Sequence, residues 1–180
     1  MAETKLLMTE EQMDQVFLEM ARKVAANGED VALIGIRSRG VPLAHWLAKH
    51  VETLTKRTPK LGALDINLYR DDLSEVGEHP VIKETDIPFK VEGTGIILVD
   101  DVLYTGRTIR AAMDAIVDFG RPKYVRLAVL VDRGWRELPI QADYTGKKIE
   151  TTADEVVKVM VKELDGKNEV VLKKDFSKRF

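Results

Sequence analysis

The sequence predicts an α/β fold, a mostly parallel central sheet flanked by helices with a small hood subdomain over one end. Three observations predict it. Residues 31–36 (VALIGI), 96–99 (IILV) and 124–131 (YVRLAVLV) are unbroken apolar runs, the pattern of strands buried on both faces. The first two runs lead through short polar loops into apolar residues at helical spacing. Alternation of strand and helix implies parallel strands joined by right-handed crossovers. The 180 residues suit one domain, with a core from about 31 to 132. The first helix and everything past Asp132 (about 1–28 and 133–180) are left to form the hood.

Taken in order, TEEQ at 9–12 is a capping-box start, and Met13, Val16, Phe17, Met20 and Val24 recur at helical spacing. Asn27-Gly28 ends that helix. Strand 31–36 runs into Arg37-Ser38-Arg39-Gly40, and Pro42 sits near the first turn of a helix carrying Leu43, Trp46, Leu47, Val51 and Leu54. Residues 61–69 (LGALDINLY) read as a third strand. Residues 70–88 are polar and punctuated by Gly77, Pro80 and Pro88, too long for an ordinary connection and read as a disordered segment or functional lid. Beyond Gly120 and Pro122 comes strand 124–131, ending in Asp132-Arg133-Gly134-Trp135. Residues 156–164 alternate, Asp165-Gly166 marks a turn, and 169–172 return as a hairpin partner. Lys173, Lys174, Lys178 and Arg179 read as a solvated tail.

Composition excludes several classes. With 44% hydrophobic and 32% charged residues the chain is an ordinary globular one. No run is long enough to span a membrane and the N-terminus is not a signal peptide. Cysteine is absent, which removes disulfides and thiolate chemistry and suits a cytoplasmic setting. His45, His50 and His79 are scattered and form no metal-ligand motif. A net charge of −2 gives no global pull on nucleic acid, although a local basic patch would not show in that sum.

The chemistry concentrates in residues 95–112, GIILVDDVLYTGRTIRAA. A buried strand delivers Asp100 and Asp101, then a loop with Thr105 and Gly106, to a helix starting near Arg107 with Ile109, Ala112, Met113, Ile116 and Val117 on one face. The first N–H groups of a helix lack internal partners and carry its positive dipole end, so a phosphate fits there. Gly106 permits close approach, and Thr105 and Thr108 add hydroxyls. Like charge keeps the two acids off that phosphate; they suit sugar hydroxyls or a hydrated Mg²⁺. Solvated acids ending a strand are the plainer alternative, and a Walker B reading fails because no GxxxxGK[ST] loop exists. At 37–40 a second strand hands a doubly basic, glycine-ended loop to a helix start, another anion-binding arrangement. Two such loops at strand C-termini mark where an open sheet binds its ligand.

The 95–112 string resembles the phosphoribosyl-pyrophosphate (PRPP) signature of the type I phosphoribosyltransferases. Residues 65–74 (DINLYRDDLS), 99–122 and 127–147 (LAVLVDRGWRELPIQADYTGK) narrow the likeness to the PyrR family. These are pyrimidine-operon attenuation regulators that are also uracil phosphoribosyltransferases. The likeness runs from about 31 to 147.

That resemblance implies the type I phosphoribosyltransferase fold and a role for each matching position. Asp100 and Asp101 would contact the ribose hydroxyls of PRPP. Thr105, Gly106, Arg107 and Thr108 would cradle the 5′-phosphate, with Val99, Val102, Leu103 and Tyr104 completing the nucleotide-binding stretch. Arg37, Ser38, Arg39 and Gly40 would hold pyrophosphate in a loop with a non-proline cis peptide. Residues 69–88 would be the catalytic lid, Arg70 reaching pyrophosphate on closure. Asp132, Arg133 and Gly134 lie where uracil is recognised. The resemblance further implies uracil, UMP and UTP as ligands, Mg²⁺ carried with PRPP and held at most through water by Asp100 and Asp101, pyr operon leader mRNA as a partner, and a homodimer or homotetramer.

On the RNA face the chain departs from the family. Leu18 and Glu19 occupy the first helix, Gln141 stands where arginine is expected, and Trp135 replaces a histidine after DRG and is expected to pack in the hood, the alternative being to stack on a base. Arg22, Arg136 and Lys147 remain for phosphate contacts. Two alternatives stay open: a phosphoribosyltransferase without RNA regulation, and one acting on another base.

Overall fold

The computed structural model describes residues 4–71 and 84–174. Its main sheet has strand order β3-β2-β4-β5-β6, all parallel, built from β2 (Val31–Ile36), β3 (Lys60–Leu64), β4 (Gly95–Leu103), β5 (Tyr124–Asp132) and β6 (Tyr144–Lys148). A smaller antiparallel sheet, β1-β8-β7, joins β1 (Thr4–Met8), β7 (Glu155–Met160) and β8 (Glu169–Lys174).

The apolar runs pack as two-faced strands must. Val31 and Leu33 of β2, Ile97 and Val99 of β4 and Leu130 of β5 face one core with α1 (Glu10–Ala26) and α2 (Gly40–Thr55). Ile34, Ile36, Ile96, Leu98 and Val129 face the other, with α3 (Arg107–Val117). Period-2 alternation thus feeds two cores from a single run of apolar residues.

The Thr9–Gln12 capping box is formed from both sides, the Gln12 N–H donating to Thr9 Oγ1 and the Thr9 N–H to Gln12 Oε1 (3.3 and 3.0 Å). On α2, Leu43, Leu47 and Val51 are buried, but Leu54 is 42% exposed because the helix has passed the sheet edge. On α3, Ile109, Ala112 and Ile116 are buried as expected, joined by Ala111 and Ala115, whereas Val117 at the last turn is 63% exposed.

Several boundaries differ from the sequence expectation. β4 does not stop before the acids: it continues through Asp100 and Asp101 to Leu103. The expected strand over 61–69 ends at Leu64, where the Asp65 carboxylate accepts the Asn67 N–H at 2.9 Å and turns the chain into a 3-10 turn, Asn67–Tyr69. β6, left to the hood, is the fifth strand of the main sheet, and α1 lies against it rather than over the ligand face. The expected strand over 156–164 closes at Met160 and gives way to the short α4 (Lys162–Asp165) before β8 returns. β1 carries no strong alternation and was not expected. Of the tail, Lys173 and Lys174 finish β8; Lys178, Arg179, His79 and most of the expected 69–88 lid lie outside the described residues.

Gly35 decides how close α2 can come to β2. A Cβ there would sit 2.5 Å from both the Gly40 carbonyl oxygen and Val41 Cα, which are backbone atoms with nowhere to go. Gly35→Ala is therefore expected to destabilise the protein by about 1–3 kcal/mol, read as a lower urea midpoint; an unchanged midpoint would contradict this packing.

Candidate active site

Strand ends β2, β4 and β5 bring the chemistry-bearing loops to one edge of the sheet, where an open α/β sheet binds its ligand. A cavity of about 400 Å³ lies there, lined by Arg70, residues 102–109 and Glu137.

The acids of β4, just before that lining, are the most unusual feature of this edge. Asp100 is only 7% exposed, and its Oδ1 accepts the Asp101 N–H at 2.9 Å; Asp101 Oδ1 accepts the Val102 N–H at 2.8 Å. Burial, and then the neighbouring Asp101 charge, pushes the Asp100 carboxyl well above the usual range, with Arg70 pulling weakly the other way. Asp101 is also raised by burial, opposed by its backbone donors and by Arg39. The pair is short of positive charge and of hydrogen-bond donors, a condition that ligand hydroxyls or a cation would relieve.

Next to it stands the turn at 104–106. Gly106 caps α3 with φ of 94°, a left-handed conformation that glycine reaches without penalty. The segment after β5 braces this turn. The N–H groups of Arg133, Glu137 and Leu138 donate to the carbonyls of Leu103 (3.1 Å) and Thr105 (2.9 and 3.2 Å). Arg136 donates to the Tyr104 carbonyl at 2.8 Å and to that of Ile140 at 2.8 Å, and pairs with Asp132 at 2.6 Å. The carbonyls of Leu103, Tyr104 and Thr105 are thereby spent, and that of Gly106 accepts the Arg110 N–H within α3, so an anion arriving at the α3 N-terminus meets amide N–H groups without competing oxygens. Burial alone would raise Asp132, but Arg136 and the Gly134 N–H outweigh it and hold the carboxyl low.

Side chains of other expected site residues have particular partners. Arg107 contributes its backbone to the α3 start, but its guanidinium bridges Glu137 and Asp71, each at 2.7 Å. Arg133 is 5% exposed, its guanidinium 4.0 Å from the Tyr104 ring centre and bonded to Thr151 Oγ1 and the Thr152 carbonyl. Arg37 donates to the Glu84 carbonyl (2.8 Å), and the Arg37–Ser38 peptide is cis, as the resemblance implied. Arg39 turns to the hood, pairing with Asp165 at 2.9 Å. The brace of Arg136 and Glu137 and the Asp165 anchor were missed in the sequence. They act across loops, and no local spacing announces them.

On the expected RNA face, Arg22 of α1 and Lys147 of β6 are exposed. These elements touch closely, since a Cβ on Gly146 would lie 2.4 Å from Val16. Arg136 lies elsewhere, turned inward against the phosphate turn. Trp135 is not packed as expected: it is 51% exposed, at φ of 64°, with its ring N–H on the Thr151 carbonyl at 2.8 Å. No group of three or more His, Cys, Asp or Glu side chains able to hold a metal ion exists among the described residues. No helix among them is long and apolar enough to cross a membrane.

Known proteins match this picture. The phosphoribosyl transferase domain family matches residues 9–164. Among solved structures, a hypoxanthine phosphoribosyltransferase of Trypanosoma cruzi superposes with a TM-score of 0.72 over 95% of this chain and 97% of its own, at 18% identity, a likeness of fold. A Bacillus anthracis hypoxanthine-guanine phosphoribosyltransferase gives 0.71 over 96% and 99%, at 21% identity. Sequence relatives are far nearer. A bifunctional protein PyrR of Thermoanaerobacter is 50% identical over 169 residues, 92% of this chain and 95% of its own. That of Deinococcus deserti is 58% identical over 144 residues, 80% and 79% of the two chains. Identity of this order over nearly whole chains goes well past a shared fold, and the chain belongs to the phosphoribosyl transferase domain family and, within it, to the bifunctional PyrR proteins.

Proposed function

We propose that the chain transfers the phosphoribosyl group of PRPP to uracil, giving UMP and pyrophosphate, and that it binds pyr leader mRNA under the control of uridine nucleotides to promote attenuation. The observation that carries the transferase half is buried Asp100 and half-buried Asp101, set directly beside a glycine-capped helix start whose neighbouring carbonyls are already spent. In this reading the 5′-phosphate sits on the amides and hydroxyls of residues 105–108. The ribose 2′- and 3′-hydroxyls donate to Asp100 and Asp101, which relieves their desolvation and fixes C1′ for attack. Pyrophosphate lies against residues 37–40, and Asp132–Gly134 border the base. The bond from uracil N1 to C1′ forms as the C1′–oxygen bond to pyrophosphate breaks, and the N1 proton leaves to solvent. Arg37, Arg39 and Arg70 neutralise charge growing on the leaving group.

Mg²⁺ fits this site, because its donors are all oxygen and the buried acids are short of positive charge. Asp100 and Asp101 would hold it, through water, together with PRPP. When bound it supplies further charge neutralisation on the diphosphate.

The RNA half rests on family membership and on exposed Arg22 and Lys147 on adjoining elements. Arg136, held by the phosphate turn, serves this reading as a brace rather than a phosphate contact. Trp135 offers a half-exposed ring on the same chain segment. The mRNA partner supports a cytoplasmic setting, and self-association as a homodimer or homotetramer is part of the same reading.

The assay is UMP formation from uracil and PRPP with Mg²⁺, beside hypoxanthine, guanine and orotate; uracil is expected to be the base consumed, and turnover of a purine instead would overturn the reading. Asp100→Asn with Asp101→Asn is expected to reduce transfer by at least about 10³-fold. The same pair should raise stability at neutral pH by on the order of 1 kcal/mol, because both carboxyls are raised in the fold. Sign matters here. A raised acid contributes stability below its unfolded value and loses it as pH rises through the folded value, so the variant's advantage in Tm should grow as pH rises above the ordinary carboxylate range and fade as pH falls back through it. A gel shift of a pyr leader stem-loop should appear with UMP at low salt and weaken steeply with added salt; Arg22→Ala with Lys147→Ala should weaken it further, and an absent shift at low salt would remove RNA from the function.

A further inference from the structure

The hood reaches the doubly basic loop through one ion pair. Arg39 donates from Nε to the Val159 carbonyl at 2.8 Å and from Nη2 to both oxygens of Asp165, at 2.9 and 3.2 Å. These partners lie on β7 and α4, so the contact crosses from the main sheet to the small one. Asp165 is itself fixed. Its Oδ2 accepts the Val161 N–H at 3.0 Å, and its own N–H donates to the Val161 carbonyl at 2.7 Å. The Val161 donor, with Arg39, holds the carboxyl below its ordinary range, so Asp165 is an anion wherever the enzyme works.

The pair is two-thirds shielded or better, with side-chain exposures of 33% for Arg39 and 15% for Asp165. With Nη2 shared between both carboxylate oxygens and Nε tied to the Val159 carbonyl, the guanidinium is fixed in direction as well as place. The direction matters, because the Arg39 charge is near enough to Asp101 to oppose the rise that burial causes there. Beside Arg39 the loop backbone is set by the core: a Cβ on Gly40 would lie 2.4 Å from the Val99 carbonyl oxygen. Core packing therefore sets the loop's backbone, and the hood sets its cation.

We propose that Asp165 is a positioning residue of the pyrophosphate site, acting through Arg39, so that the loop takes a diphosphate in full strength only with the hood seated. The inference rests on the reading that residues 37–40 hold pyrophosphate. Asp165 touches no ligand in this account. Its effect is selective: groups carried by PRPP and pyrophosphate should feel it, while UMP, held by residues 105–108 and the acids, should not.

The test measures binding of PRPP, inorganic pyrophosphate and UMP to the full-length protein, with Mg²⁺, for Asp165→Asn, Arg39→Gln and the double variant. Asparagine keeps an acceptor for the Val161 N–H, so that bond can persist and the charge of the ion pair is what is lost. Asp165→Asn is expected to weaken PRPP and pyrophosphate about tenfold and to raise KM for PRPP alike, with UMP within about twofold. The double variant should be no weaker than Arg39→Gln alone, since both substitutions remove one linkage. Wild-type pyrophosphate affinity in Asp165→Asn beside a weakened Arg39→Gln would overturn the role of Asp165 and leave the loop reading standing. Wild-type affinity in Arg39→Gln would overturn the loop reading and this inference with it. Equal loss for UMP and pyrophosphate would mean general loosening, and would overturn positioning as well.

Discussion

Keeping buried Asp100 and half-buried Asp101 side by side at a strand end is the constraint on which the rest of this structure depends. A carboxylate wants water or several donors, and these two get backbone N–H groups from their own neighbours and little else within the fold. β4 carries both acids inside the strand, its register with β5 unbroken through Asp100↔Val129 and Leu103↔Asp132. The acids are therefore held by the sheet rather than by a loop, and the unliganded protein bears a cost that a polyhydroxyl ligand removes. Such tension between stability and function is what paired buried acids at a ligand site lead one to expect.

The hood gives the site its precision. Residues 133–140 consume the carbonyls of the phosphate turn and pin Arg107 through Glu137. Arg133 supports the Tyr104 ring from below the surface, buried as an arginine seldom is without good partners. Asp165, on α4 between β7 and β8, reaches the loop at 37–40 through Arg39. The loops at 37–40 and 104–106 both belong to the main sheet, yet side chains that hold them come from the segments past β5.

What was legible in the sequence is what local pattern encodes. VALIGI, IILV and YVRLAVLV announced buried strands because both faces of a parallel sheet must be apolar, and TEEQ announced a helix start because its side chains can cap nothing else. The acid pair, Thr105 and Gly106 were read as a sugar-phosphate site from the same kind of local pattern, and the structure does set them at the end of β4 and the start of α3. β6 was invisible: YTGKK is an edge strand with polar exposed positions, and only its pairing with β5 makes it one. LGALDINLY looked like one strand because Asp65 breaks it by a side-chain bond that composition does not show. Arg39 and Arg133 were read as ligand groups from their place in the motif. Their guanidiniums are engaged by residues 126 and 18 positions away, which no window along the chain can reveal. Trp135 was expected to pack, but its left-handed backbone aims it outward and its N–H alone is tied down.

The central claim, that the desolvated acids and the glycine-capped turn together grip a ribose 5-phosphate, is tested most directly by a crystal structure of the protein with UMP. The account predicts the 5′-phosphate on the backbone N–H groups of residues 105–108, with both ribose hydroxyls within hydrogen-bond distance of Asp100 and Asp101. A phosphate bound elsewhere, or a sugar turned away from the two acids, would contradict it.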